Sequence, residues 1–439
     1  MSRYGLLIVV VSALLLMALV LSAVPNNDAR AEVLKAEQNL KWYRGNLHTH
    51  SHWSDGDDYL EMIASWYDDH DYDFLVFTDH NVLADKERWV AIDKTKGGRK
   101  AFDKLKQRFP DWLEVRERDG VAEVRLRTFA EVSDKIARSG DFLLIQGEEI
   151  SDQFHRHPIH MNAHNVRELI TPRGGESVRE VIQNNVDAVV AQRERTGQSM
   201  IIHLNHPNFG YAVTAEDLMP IVGEKFFEVY NGHPGVHNTG DDTHPGTERM
   251  WDIILTKRLA ELDLPVMYGL AVDDGHNYHN IPSRASEPGR GWVMVLAPRL
   301  TPDSLIESLE SGRFYASSGV RLSRVEQTQQ SLSVAVEPVG DETYTIEFIG
   351  TRRGYNPEGK PLTGKDGEVL PVTHSYDPAI GTILQTSTGQ EATYQFQGNE
   401  IYVRARVTSS LEHPNPSEVG EFQRAWVQPV VLPASAPSR

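Results

Sequence analysis

The chain has 439 residues, enough for two domains or for one large barrel with an appendage. Its formal net charge of -18 argues against a nucleic-acid backbone as its main partner. It contains no cysteine, which excludes disulfides, thiolate metal sites, cysteine nucleophiles and a lipidated cysteine anchor, so any metal must be held by His, Asp and Glu.

At the start, Arg3 precedes a run at residues 5–24 that is apolar apart from Ser12 and Ser22, and Ala29-Arg30-Ala31 offers a cleavage site. Residues 1–31 are expected to be a signal peptide, which would make the body of the protein exported, periplasmic or secreted. The apolar run is also long enough to remain as an uncleaved membrane anchor.

Residues 43–47 read as a short strand, followed by His48 and His50. Side chains two apart on an extended backbone share a face, so two imidazoles here can bind one divalent metal. Asp55 follows closely enough to add a carboxylate oxygen. Residues 58–70 are amphipathic, with Leu60, Ile63, Trp66 and Tyr67 at helical spacing, and this stripe is read as core. A buried strand at 72–77 then ends in Thr78-Asp79-His80. Strand, helix and strand in succession suggest a parallel sheet. Residues 84–140 are dense in Lys, Arg, Asp and Glu, and are read as inserted surface helices with a solvated face.

Further apolar strands end in similar chemistry. Residues 142–145 lead to Gly147-Glu148-Glu149, and a polar loop with His155 and His157 leads to a strand containing His160. After a helical stretch at 177–196, residues 199–202 run into His203 and then His206-Pro207. Residues 225–230 end at Asn231-Gly232-His233, and 265–272 end at Asp273-Asp274-Gly275-His276. Active sites of α/β barrels lie at the C-terminal ends of the strands. Of the 18 histidines, all but His374 and His413 fall between His48 and His279. That clustering at strand ends points to a metal site. From residue 321 to 431 the pattern changes to the alternation of antiparallel strands, read as a small β-sandwich domain. Residues 433–439 are expected to fray.

The ordered set His48-x-His50, Asp55, Thr78-Asp79-His80, Gly147-x-Glu149, His160, His206-Pro207 and Asp274-x-His276 resembles the PHP (polymerase and histidinol phosphatase) metallohydrolases. The resemblance covers about residues 38–320. Pro288-Gly289-Arg290-Gly291-Trp292 and Gly312-Arg313-Phe314-Tyr315 resemble the exported CehA/McbA-like branch, which includes carbamate ester hydrolases. The resemblance implies an α/β chain: a distorted (β/α)7 TIM-like barrel, followed by the β-sandwich, with two or three divalent metals in the barrel. It implies nine ligands, His48, His50, Asp55, His80, Glu149, His160, His206, Asp274 and His276. Glu148, His203 and Asp273 each sit beside or near a ligand and are expected to point across the backbone or to stand behind it. An amidohydrolase barrel also begins with His-x-His, but it needs a metal-bridging lysine at a strand end and none is found.

Six imidazoles and three carboxylates suit Zn, Mn or Fe better than Ca or Mg. The chemistry expected is phosphoester hydrolysis by a hydroxide bridging clustered metals, with Asp274 or His276 as bridging ligand and proton acceptor. Arg290, His233 or His52 would contact the anionic group of a small-molecule ester substrate. Two alternatives stay open: hydrolysis of a carbamate or carboxylic ester at the same metals, and an exported metal- or glycan-binding protein without catalysis. For the N-terminus, sequencing of the mature protein is expected to begin at Glu32. A start at Met1 or Ser2 would show that the segment is retained.

Overall fold

The computed structural model describes residues 40–223 and 225–432, so the expected signal peptide and the tail at 433–439 lie outside the described residues. Strand β1 (Lys41–Asn46) pairs in parallel with β2 (Phe74–Phe77). The helix between them, Leu60–Asp69, buries Leu60, Ile63, Ala64 and Tyr67 at spacings of three and four, and Trp66 is half-buried. Every residue of β2 is buried.

The insertion after β2 is not purely helical. It carries the helices Gly98–Arg108 and Phe129–Ile136, but also β3 (Arg88–Ala91), β4 (Val115–Arg118) and β5 (Val121–Leu126), which form a separate antiparallel sheet. In β5, Ala122, Val124 and Leu126 join the core while Glu123 and Arg125 alternate with them. The charged residues masked this period of two in the sequence.

The central series continues with β6 (Leu143–Phe154), β7 (His157–His164), β8 (Ile201–Leu204), β9 (Phe226–Asn231) and β10 (Tyr268–Val272). Pairing is parallel for β2–β6, β8–β9 and β9–β10, but antiparallel for β6–β7 and β7–β8. The β6–β7 connection turns tightly through His155, which has φ +53°, and leaves no length for a crossover helix. The series is therefore mixed rather than uniformly parallel.

The remaining strands are β11 (Trp292–Ala297), β12 (Phe314–Ser317), β13 (Leu322–Gln327), β14 (Ser331–Val336), β15 (Tyr344–Arg352), β16 (Thr382–Thr388), β17 (Glu391–Gln395), β18 (Glu400–Glu412) and β19 (Phe422–Val431). One 13-stranded sheet runs β10-β9-β8-β7-β6-β2-β1-β11-β12-β19-β18-β15-β16. Its C-terminal strands thus continue the N-terminal ones, through pairs such as Ala316 with Trp426. A second sheet, β13-β14-β17, contributes Leu332, Val334 and Tyr394 to a core shared with Ile346, Phe348 and Val403. Among the described residues no helix is long and apolar enough to cross a membrane.

A buried ion pair ties β18 to the helix Thr247–Ala260. Arg404 grips Asp252 with two bonds of 2.8 and 2.7 Å, and its guanidinium lies 4.8 Å from the Trp251 ring centroid. Removing one partner leaves a buried charge uncompensated. Arg404→Ala is expected to cost about 3–5 kcal/mol in denaturant-induced unfolding. A loss below about 1 kcal/mol, as for an exposed pair, would contradict this account of the junction.

Candidate metal centre

The chain leaves β1 still extended, with Thr49 bridged in parallel to Gly275 and His50 N–H bonded to Gly275 O at 3.0 Å. His48 and His50 are both fully buried. Asn46 steadies this stretch by donating to His48 O and Thr49 Oγ1, both at 2.8 Å. The loop that follows folds around Asp79, which accepts from Ser51 N (2.7 Å), Ser51 Oγ (2.7 Å) and Ser54 Oγ (2.6 Å). Gly56 closes the loop, since a Cβ there would collide with the His50 carbonyl. These constraints return Asp55 to His50.

Glu149 lies at the middle of the cluster. Its Oε2 is 2.9 Å from His80 Nδ1, 3.2 Å from His50 Nε2 and 3.5 Å from His48 Nε2. Its Oε1 is 2.8 Å from His160 Nδ1 and 3.7 Å from His206 Nε2. Asp274 Oδ1 lies 3.3 Å from both His48 Nε2 and His50 Nε2, and 3.5 Å from His276 Nδ1. Asp55 Oδ1 lies 3.2 Å from His276 Nε2, 3.5 Å from His80 Nε2 and 3.7 Å from His50 Nδ1. All nine side chains proposed as ligands on sequence are thus brought together.

These separations fit shared divalent ions. Ligands held ~2.1 Å from one ion sit roughly 3.0–3.4 Å apart. His48 Nε2, both ring nitrogens of His50, Asp55 Oδ1 and Glu149 Oε2 are buried with no hydrogen-bond partner among the described residues. Orphaned buried polar atoms are costly unless something binds them. Three overlapping donor groups meet the requirement: His48, His50 and Glu149; His50, Asp55, His80 and His276; and His80, Glu149 and His160.

The electrostatics agree. Burial, helped by His276 and His80, drives the His50 pKa down to about 3, so this imidazole is neutral and free to ligate. Burial also opposes the His80 cation, but the Glu149 and Asp55 carboxylates outweigh it and hold His80 up at about 9. Burial works against the Glu149 and Asp274 anions too, yet the surrounding imidazoles keep both well below the usual carboxylate range. An entering metal must therefore displace protons from the histidines, which ties loading to pH.

The neighbouring residues face elsewhere. Glu148 accepts from Ile170 N at 2.7 Å, and burial pushes it up to about 8. Asp273 accepts from Tyr67 Oη, Arg290 N and Gly291 N at 2.7, 2.7 and 2.8 Å. His203 stands behind His48, and what links them is Glu228, which the sequence reading passed over. Glu228 Oε1 accepts from His48 Nδ1 (2.7 Å) and His203 Nε2 (3.1 Å), while Oε2 accepts from His206 N (2.7 Å) and Asn231 Nδ2 (2.8 Å). With its Nδ1 proton on Glu228, His48 turns the Nε2 lone pair toward the centre. The signal was available: Glu228 is a lone charge in an otherwise apolar run of a wholly buried strand. Asn205, also missed, donates to Glu149 Oε1 at 2.9 Å.

Two of the three expected substrate contacts are corrected. Arg290 is fully buried, and all its guanidinium nitrogens are in use. Nε and Nη2 donate to Asn415 O and Oδ1, Nη1 to Gly232 O and Ala285 O, and Nη2 also to Glu287 at 3.0 Å. It holds loops together and has no donor to spare. His52 is buried, its Nδ1 meets Gly56 O at 3.0 Å and its ring packs edge-on to Tyr59, so it is not open to a substrate. His233 is half-buried beside the centre, with its ring 5.8 Å from that of His276. Its Nδ1 accepts from Gly235 N at 2.9 Å, so Nε2 carries the proton and is a donor.

No family model matches this sequence, and no curated protein matches it. Several solved structures are distantly similar, two of them as follows. A two-domain protein from Bacteroides vulgatus, described as containing a predicted PHP-like metal-dependent phosphoesterase, is 14% identical with a TM-score of 0.38 over 89% of this chain and 96% of its own. A proposed metal-dependent phosphoesterase from Bifidobacterium adolescentis is 15% identical with a TM-score of 0.27, over 53% of this chain and 87% of its own. Both are too remote to transfer a fold or an activity.

Glu228→Gln keeps the shape but removes an anion that receives four donors. It is expected to weaken metal binding by about 10–100-fold in a chelator competition, with the fold intact by circular dichroism. Unchanged affinity would remove Glu228 from the support of the centre.

Proposed function

We propose that this chain is a metal-dependent hydrolase, and specifically a phosphoesterase. The observation that carries the reading is the convergence of six imidazoles and three carboxylates on shared positions, with buried donor atoms that nothing in the protein satisfies. Zn, Mn or Fe is the ion class such nitrogen-rich donors favour, and two or three ions would use all of them. Divalent ions held there supply an acidified water and positive charge against the charge that builds on phosphoryl oxygens.

In this reading Glu149 and Asp274 fix the ligand histidines, and Asp274 or His276 takes up a proton during hydrolysis. His233 Nε2–H donates to the substrate's oxygen. The backbone of Asp274 has φ +51°, a conformation uncommon for a residue other than glycine, and Asn231 steadies its Oδ2 at 3.1 Å. That strain aims the carboxylate at His48 and His50.

The same reading takes the site-bearing strands as a distorted (β/α)7 barrel and the two C-terminal sheets as a sandwich. It places the protein outside the cytoplasm, with a small-molecule ester as its partner. A second reading, hydrolysis of a carbamate or carboxylic ester, is favoured by one observation: saturated Arg290 offers no arginine clamp for a phosphate.

His48→Ala combined with His50→Ala is expected to abolish metal loading and lower turnover by about a thousandfold or more. The check pairs metal analysis with chelator-sensitive cleavage of a phosphomonoester, a phosphodiester and an aryl ester. Turnover of the aryl ester alone would select the second reading, and full activity in the double variant would refute both.

A further inference from the structure

We propose that Lys96, carried by the insertion, is the anion-binding residue of the site, which makes the insertion part of the substrate-binding surface. The proposal rests on the hydrolase reading above and narrows its substrate to an anionic ester.

Lys96 Nζ lies 3.1 Å from Asp55 Oδ2, while Asp55 Oδ1 faces His50, His80 and His276. A single carboxylate therefore separates the ammonium from the ligand cluster. Among the described residues, Lys96 is the one lysine or arginine that pairs with any of the nine ligand side chains. Arg290, the arginine expected to do this work, has no donor left.

The position of Lys96 is built rather than incidental. Thr95 Oγ1 donates to Ile92 O at 3.1 Å and accepts from Gly98 N at 3.0 Å, which fixes the turn. Gly97 lets that turn close on the backbone next to Asp55, because a Cβ there would run into Asp57 O and come within 2.9 Å of His279 Nε2. Beyond the turn, Lys100 reaches Asn280 Oδ1 at 2.5 Å, and Lys104 reaches Asp58 Oδ2 at 3.2 Å and His279 Nδ1 at 2.9 Å. The insertion thus grips both loops that flank the second donor group.

Lys96 is also free to change partners. Its side chain is 55% exposed and that of Asp55 is 42% exposed, so their pairing is weak and exchangeable. A lysine ammonium on a flexible stem can leave Asp55 for a phosphoryl oxygen without disturbing the fold. A cation at the rim would add to the pull that a metal-loaded centre exerts on an incoming dianion.

The test uses the metal-loaded chain, with Lys96→Gln, Lys96→Arg and Gly97→Ala. Calorimetry with inorganic phosphate is the binding probe, and metal content is measured alongside KM and kcat for a phosphomonoester and a neutral aryl ester. Lys96→Gln is expected to weaken phosphate binding, and to raise KM for the phosphomonoester, by about tenfold each. The neutral ester and the metal content should be unaffected. Lys96→Arg should recover most of the loss, and Gly97→Ala should reproduce it. Unchanged phosphate affinity in Lys96→Gln, no phosphate binding by metal-loaded wild type, or a fall in metal content that tracks the loss would each overturn the proposal. Lysine-dependent phosphate binding without phosphoester turnover would uphold Lys96 while refuting the phosphoesterase reading.

Discussion

One buried carboxylate organises this structure. Glu149 is fully buried, and an anion in such a place is tolerated only if cations or hydrogen-bond donors surround it. The sheet order supplies them. Strands β8, β7, β6, β2 and β1 are consecutive neighbours, and each delivers a residue to one point. His206 follows β8, His160 lies in β7, Glu149 itself is in β6, His80 follows β2, and His48 and His50 follow β1. The bridge between His80 and Glu149 fixes the register at which this happens. A shift of one residue in β6 would turn Glu149 to the opposite face and bring Glu148, now bonded to Ile170 N, toward the histidines.

Behind the centre, a second layer of polar groups is held in the core. His164 Nε2 meets His203 Nδ1 at 2.9 Å, His203 meets Glu228, and Glu228 meets His48. Since a carboxylate can only accept, Glu228 requires the proton on His48 Nδ1 and on His203 Nε2. His203 Nδ1 must then accept, and His164 Nε2 must donate. Burial, reinforced by the neighbouring imidazole, lowers the pKa of His164 and keeps it neutral, as this chain of bonds requires. The tautomer of the metal-facing imidazole is therefore set by residues a full layer away, and the ligand geometry is in place before any ion arrives.

Much of the site was legible because its residues terminate apolar runs. Histidines or acids at or just beyond the ends of apolar runs mark strand ends, and most of about seven such runs carry them, which implies a common end of the sheet. What was not legible depended on partners rather than on pattern. Arg290 reads as an anion clamp in isolation, but its guanidinium is used up by Gly232, Ala285, Glu287 and Asn415, which are distant or unremarkable in sequence. The β6–β7 hairpin hid in a polar loop because its turn is made by His155 and Arg156 alone, between strands ending at Phe154 and starting at His157, where no glycine announced a turn. The insertion's strands hid behind charge: one face of β5 enters the core while its other face carries Glu123 and Arg125. The union of the C-terminal strands with the main sheet lies in the pairing of β12 with β19, a contact across more than a hundred residues that no local pattern encodes.

The open side of the centre follows from how unevenly its side chains are covered. His48 and His50 are sealed, Glu149 nearly so, whereas the side chains of His80 and His160 are 28% and 19% exposed. Asp55 is more open still, so access lies over the loop of residues 51–56 and the start of β7, and not through the sheet. That loop is held from below by Asp79 and from outside by the insertion, through Lys96 on Asp55 and Lys104 on Asp58. The open side of the centre is therefore bounded by a segment whose charge, on sequence alone, resembled a solvated face. The buried side is shaped for metals, and on the hydrolase reading proposed above the exposed side is where this chain would distinguish one substrate from another.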